Sequence, residues 1–329
     1  MRNSPNIDLK DKRILREIFS NGRMPYSEIG KKVRLSKEVV RYRIEKLKEK
    51  GLLLGFNTVY NVRKIKWHIF LVYIKLKDIN NEKENEIIKY LIDHPNIAWC
   101  VKCIGNYDFV LKIFVKDRIH LGNILKEMEK KYNNFDEFIV DNTIKEMPIP
   151  NAYLYEPLKP DRIIDIDNKT IDVDYLDIEI MKLISINSRI QLSEMSQILN
   201  TPRDTIKYRL KKLEKEKVII TYRPSAWSGT KSLGFSWYLV LLKFKQLDSK
   251  SRSTLMEFLT THTNLAYVYE LLGEHDLGFE IRLKTGDQLN EILMEIRAIL
   301  GSDFKRNELS LILKEYKYTY FPECVKEII

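Results

Sequence analysis

Residues 36–51 read SKEVVRYRIEKLKEKG, and residues 202–217 read PRDTIKYRLKKLEKEK. In the first stretch Val40, Ile44 and Leu47 recur at helical spacing and form one apolar stripe. Ser36 is a good N-cap, and Gly51 suits the left-handed position that ends a helix. In the second, Thr201-Pro202 is expected to supply the cap and the first helical residue, with Ile206, Leu210 and Leu213 as the stripe. Lys217 stands there in place of the glycine, so that helix end is expected to close differently. Two shorter helical patterns precede the first stretch: Ile14, Leu15 and Ile18 before an Asn21-Gly22 turn, then Ile29 and Val33 in a helix starting near Pro25 or Tyr26. Three short helices in this order make a helix-turn-helix, whose third helix enters the DNA major groove.

The likeness between the two stretches extends well beyond them, with a repeat unit of about half the chain. Ile7 to Phe56 aligns without a gap on Val173 to Tyr222: Asp8 meets Asp174, Asp11 meets Asp177, Arg23 meets Arg189, and Tyr42-Arg43 meets Tyr208-Arg209. Further on, His94-Pro95-Asn96 faces His262-Thr263-Asn264, Gly105-Asn106-Tyr107-Asp108 faces Gly273-Glu274-His275-Asp276, and Lys145-Glu146 faces Lys314-Glu315. The repeat is thus a domain pair, far longer than a solenoid module. Between the copies, residues 149–172 carry Pro150, Pro157, Pro160 and several aspartates, which reads as a linker.

After each helix-turn-helix the period changes. In the first copy the pattern predicts a strand over Trp67–Leu76, a helix with Ile87, Ile88, Leu91 and Ile92, and strands over Ile97–Ile104 and Phe109–Val115. A helix with Leu121, Ile124, Leu125 and Met128 follows, then a strand over Phe135–Lys145. This is the βαββαβ, ferredoxin-like order. The expected fold is therefore α+β, with two winged helix-turn-helix domains (1–60 and 173–230) alternating with two ferredoxin-like domains (61–148 and 231–329). Such a sheet carries helices on one face and needs a partner on the other. The linker is long enough to let the two sheets of one chain meet face to face, giving a pseudo-symmetric dimer with two non-identical heads and an imperfectly palindromic operator.

Composition narrows the function. The 329 residues are 44% hydrophobic and 31% charged, enough for packed cores, and no apolar run is long enough to span a membrane. The polar N-terminus does not resemble a secretory signal, so a cytoplasmic protein is expected. The net charge of +10 favours a polyanionic partner, double-stranded DNA above all, although a Lys-rich composition alone is weak evidence. Cys100 and Cys103 form a C-x-x-C, but on a strand their odd spacing sends them to opposite faces, so two ordinary cysteines are expected and no metal. No catalytic constellation and no cofactor motif is found.

On the third helix of the first copy, Lys37, Glu38, Arg41, Tyr42 and Glu45 face outward and are the candidates to reach base edges, with Arg43 at the boundary placed to hold a phosphate. The second copy presents Arg203, Asp204, Lys207, Tyr208 and Lys211, with Arg209 equivalent to Arg43. The first copy is the more basic, so stronger DNA contact is expected there. A solvated charged face is the alternative for either helix.

The Asp8-x-x-Asp11-x-x-Ile14-Leu15 opening, the Ser36 to Leu47 helix with its Gly51 stop, and the Gly105-x-x-Asp108 turn together resemble the Lrp/AsnC family of prokaryotic regulators, twice over. The resemblance implies transcriptional control, oligomers built through the ferredoxin-like domains, and a small effector, commonly an amino acid, near the Gly-x-x-Asp turn. That points to Gly105, Asn106, Tyr107 and Asp108 and to Gly273, Glu274, His275 and Asp276. The plainer reading of these turns is a glycine at positive φ and an aspartate capping its own loop. The family usually has one unit per chain. Two rival functions stand beside regulation: a two-unit sirohaem decarboxylase-like enzyme, whose basic, histidine-rich segments are not matched here, and an effector sensor that no longer binds DNA.

Overall fold

The computed structural model describes residues 7–149, 169–225 and 234–328. Most of the expected linker, 150–168, lies outside the described residues. Its ends are held: the Ile149 N–H donates to Ala266 O (2.9 Å), the Ile171 N–H donates to Lys64 O (2.7 Å), and Lys66 pairs with Asp172.

The first head comprises α1 (Leu9–Ser20), α2 (Tyr26–Val33), α3 (Lys37–Glu49) and β1 (Gly55–Tyr60). An Asp8–Asp11 capping box opens α1, with each carboxylate accepting the other's backbone N–H. Ile14, Ile18, Ile29, Val40, Ile44 and Leu47 meet in one buried core. The second head repeats this with α6 (Tyr175–Ile186), α7 (Leu192–Ile198), α8 (Arg203–Lys215) and β6 (Ile219–Ser225), opened by Asp174–Asp177.

Two local expectations at α8 are corrected. Pro202 has an extended ψ of 140°, so it is itself the cap position, and the helix starts at Arg203; the Thr201 hydroxyl instead donates to Leu199 O. Lys217 has φ 56° where Gly51 has φ 68°, so both helices end in the same left-handed turn. Tertiary packing imposes that geometry on a lysine at a cost of roughly 1–2 kcal/mol.

The wings are shared. β1 pairs antiparallel with β6, from Gly55↔Ser225 to Tyr60↔Ile219, so each head finds its strand partner in the other. Reciprocal contacts lock the joint: the Gly22 N–H donates to Tyr222 O (2.8 Å), and its equivalent Ser188 N–H donates to Phe56 O (2.7 Å). Arg189 reaches Gly22 O and Met24 O while its guanidinium lies over Tyr26 and Phe56, and Arg23 lies over Tyr222.

Each βαββαβ unit follows its head. The first runs β2 (His68–Leu76), α4 (Asn81–Asp93), β3 (Ile97–Gly105), β4 (Phe109–Val115), α5 (Arg118–Lys131) and β5 (Phe135–Pro148). The second runs β7 (Ser236–Phe244), α9 (Ser249–Thr261), β8 (Leu265–Gly273), β9 (Leu277–Leu283), α10 (Gly286–Leu300) and β10 (Phe304–Tyr318). The two sheets do more than face each other: they close into one barrel of order β10-β3-β4-β2-β5-β8-β9-β7. The cause is the length of β5 and β10. β5 pairs with β2 up to Asn142 and with β8 from Asp141 to Pro148, and β10 bridges β7 and β3 in the same way. Crossing from one sheet to the other removes the open edges that two separate sheets would expose.

Three apolar cores result. One lies between each sheet half and its own helices, and a third, with Leu71, Tyr73, Trp99, Val101, Leu239, Leu241, Tyr267 and Tyr269, fills the barrel. Cys100 belongs to a helix-side core and Cys103 to the barrel interior, on opposite faces of β3 as the spacing implied. Among the described residues, no helix is long and apolar enough to cross a membrane.

Candidate nucleic-acid interface

Helices α3 and α8 bury their stripes, Val40, Ile44 and Leu47 in one and Ile206, Leu210 and Leu213 in the other. The Ser36 hydroxyl accepts the Val39 N–H at 3.2 Å and fixes the start of α3. The opposite faces carry Lys37, Glu38, Arg41, Tyr42 and Glu45, and Arg203, Asp204, Lys207, Tyr208 and Lys211, all exposed. Tyr42 and Tyr208 are 63% and 67% exposed, unusual for aromatic side chains and favourable for contact with a groove.

Arg43 and Arg209 are placed differently from the expected phosphate clamp. The Arg43 guanidinium donates to Asp8 and Asp11, both at 2.7 Å, and is half-buried. Arg209 reaches Asp174 and Asp177 in the same manner. Both guanidinium groups therefore bind the recognition helix to the capping box of the first helix of their own head. At Asp8, burial opposes ionisation, but the Asp11 N–H and Arg43 outweigh it and hold the carboxyl below its usual value. Two ion pairs in the first head, and three in the second where Lys212 also reaches Asp177, hold the helix at a set angle.

The two Gly-x-x-Asp turns are built alike. The Asp108 carboxylate accepts the Leu76 N–H at 2.8 Å, and Asp276 accepts that of Phe244 at 2.9 Å. Each aspartate thus caps the end of a neighbouring strand instead of its own loop. Gly105 has φ 131°, and a Cβ there would lie 2.4 Å from Leu309 O, so the turn requires glycine. Asn106 and Glu274 are exposed, whereas Tyr107 and His275 turn inward and are buried.

These inward residues meet a cluster that sequence reasoning missed. His275 Nδ1 donates to Asp141 Oδ2 (2.7 Å), and its Nε2 lies 3.2 Å from Glu308, which also accepts the Tyr107 hydroxyl. Tyr73 packs edge-on to His275. Burial works against ionisation of Glu308, but the Tyr107 hydroxyl and His275 overcome it and keep its carboxyl low. One strand, β10, touches both turns: Arg306 pairs with Glu274, and the Leu309 N–H donates to Asn106.

A second buried cluster crosses the barrel interior. Lys112 pairs with Glu146 at 2.6 Å and sits over the rings of Trp99, Tyr267 and Tyr269. Glu280, its equivalent in the second unit, accepts the Trp237 indole N–H (3.1 Å) and the Tyr269 hydroxyl. Burial raises the Glu280 carboxyl, and it pushes Glu315 up to about 7. The available signal was charge inside otherwise apolar strands: Lys112 in FVLKIFV, and Glu280 with Arg282 in LGFEIRL.

Residues 7–53 and 173–220 each match the model of winged helix-turn-helix DNA-binding domains. The proline dehydrogenase transcriptional activator of Rhodobacter capsulatus is 30% identical over 122 residues, covering 37% of this chain and 79% of that protein. The regulatory protein AsnC of Haemophilus influenzae is 27% identical over 146 residues, covering 44% and 94%. The chain belongs to the Lrp/AsnC family. Within this Lrp/AsnC protein each such relative corresponds to one of the two units. A solved structure of the siroheme decarboxylase NirDL with an iron-uroporphyrin III analogue matches both units at once, with a TM-score of 0.64, covering 96% of each chain at 13% identity. At that identity the likeness is one of fold alone.

Proposed function

We propose that this Lrp/AsnC protein is a sequence-specific transcription regulator that reads double-stranded DNA with both heads of one chain and performs no catalytic step. The observation that carries the reading is the matched pair of exposed faces: Arg41-Tyr42 on α3 and Lys207-Tyr208 on α8, each on a helix pinned to its head by a buried-side arginine. Lys37, Glu38, Arg203 and Lys211 extend these faces. Arg43 and Arg209 act as positioning residues here, since their guanidinium groups are engaged with aspartates. A small effector is assigned to the rims of the two turns, where Asn106 and Glu274 are exposed, while Gly105 and Gly273 shape the backbone, Asp108 and Asp276 anchor it, and Tyr107 and His275 link the turn to the interior.

Selection of bound duplexes from a random pool, followed by a mobility shift with the enriched site, tests this directly. Enrichment of a defined two-part site is the expected result. Failure to retain any duplex, with a tetrapyrrole absorbance band in the purified protein, would instead favour the enzyme.

A further inference from the structure

The two recognition faces agree at four equivalent positions and disagree at one. Lys37 matches Arg203, Glu38 matches Asp204, Arg41 matches Lys207 and Tyr42 matches Tyr208, each pair keeping its charge or ring. The fifth pair reverses charge: Glu45 on α3 is equivalent to Lys211 on α8, and both are exposed. A carboxylate in the major groove accepts from the cytosine amino group, whereas an ammonium donates to guanine O6 or N7. Each presents the wrong hydrogen-bonding sense to the other's base. Glu45 also lies 3.0 Å from Lys48, which holds it on the helix surface.

The heads cannot exchange roles by swivelling. The β1–β6 ribbon, the reciprocal Gly22–Tyr222 and Ser188–Phe56 hydrogen bonds, and Arg189 set into the first head join them into one body. Reversing the protein on a fixed site would therefore set Glu45 over the base chosen by Lys211, and Lys211 over the base chosen by Glu45.

We infer that the operator is directional: Glu45 and Lys211 read different base pairs at the equivalent position of the two half-sites, cytosine under Glu45 and guanine under Lys211, so one chain docks in a single orientation. This rests on the DNA-binding reading above and adds the residue pair that breaks the symmetry. The experiment is selection from a random duplex pool with the full chain and two reciprocal variants. The wild-type consensus should be two half-sites differing at that base pair, and replacing either half to make a palindrome should weaken binding about tenfold. Glu45→Lys should convert the consensus to an inverted repeat with guanine in both halves, and Lys211→Glu to one with cytosine in both. Both side chains are exposed, and unchanged thermal unfolding confirms that the variants fold. A palindromic wild-type consensus, or variants that select the wild-type site unchanged, would overturn directionality. Enrichment of no duplex at all would overturn the DNA-binding reading instead.

Discussion

The two copies of the repeat are alike where they face their own helices and unlike where they face each other. On the helix side β4 presents Phe109, Leu111, Ile113 and Val115, and β9 presents Leu277, Phe279, Ile281 and Leu283, apolar throughout. On the barrel side the equivalents diverge in complementary ways: Lys112 against Glu280, and Tyr107 against His275. Asp141 and Ser310 occupy equivalent places opposite Gly273 and Gly105, and Glu308 stands where the first copy has Ile139. Two identical subunits would place like charges together at such positions. Covalent linkage gives each surface one fixed partner, so a cation on one side can be answered by a carboxylate on the other.

The largest expected effect breaks that complementarity at its centre. Lys112→Met keeps the side-chain length but leaves the buried-side Glu146 without its ion pair and leaves Glu280 with Arg282 as its remaining nearby cation. Removing one member of a buried ionic set should lower unfolding free energy by about 3 kcal/mol at neutral pH. Denaturant titration measures this, and a loss within experimental error of zero would show that the barrel interior does not depend on the charge.

Glu146 is held by Lys112, whereas its equivalent Glu315 accepts the Trp99 indole N–H at 2.9 Å. Burial raises Glu315 from 4.5 to about 7, so the folded state holds its proton more tightly than the unfolded chain. Its contribution to stability is full below about pH 4.5 and is lost as the pH rises to 7. Glu315→Gln keeps the acceptor for Trp99 and removes this loss. The variant should gain on the wild type by on the order of 2 kcal/mol between pH 4.5 and 8. Parallel stability profiles for the two proteins would contradict the assignment.

The heads offer a comparison of similar size and then a smaller one. Arg41→Ala should weaken the selected site by about 1–3 kcal/mol in a mobility-shift titration without altering the melting temperature, since a forked guanidinium can hold guanine bidentately. Lys207→Ala should cost less, about 1 kcal/mol, because an ammonium acts as a point charge on a less basic head. The reverse ranking would show that the second head dominates recognition.

Much of this molecule was legible in its chain because its signals are local. The stripes Val40-Ile44-Leu47 and Ile206-Leu210-Leu213 define helices by period, and all six residues are buried. Strand β4 falls on Phe109–Val115 as the apolar run indicated, and the C-x-x-C spacing places Cys100 and Cys103 on opposite faces. The candidate site was only partly legible. Arg43 reads as a boundary cation in sequence, but its distance from Asp8 and Asp11 depends on how α3 packs across α1. Tyr107 and His275 sit in a polar turn, yet their direction is set by carboxylates on strands far away in sequence, Asp141 and Glu308.

The number of units, the order of their elements and the exposed faces of α3 and α8 follow from the chain's local pattern, since period and repetition act within a few turns of backbone. Three features emerge only in the folded molecule: β1 pairs with β6, β5 and β10 each cross from one sheet to the other, and Lys217 takes a glycine's conformation. Those outcomes depend on which distant backbone groups compete for the same hydrogen bonds, and a buried polar backbone group left unpaired costs more than a strained lysine or a long strand.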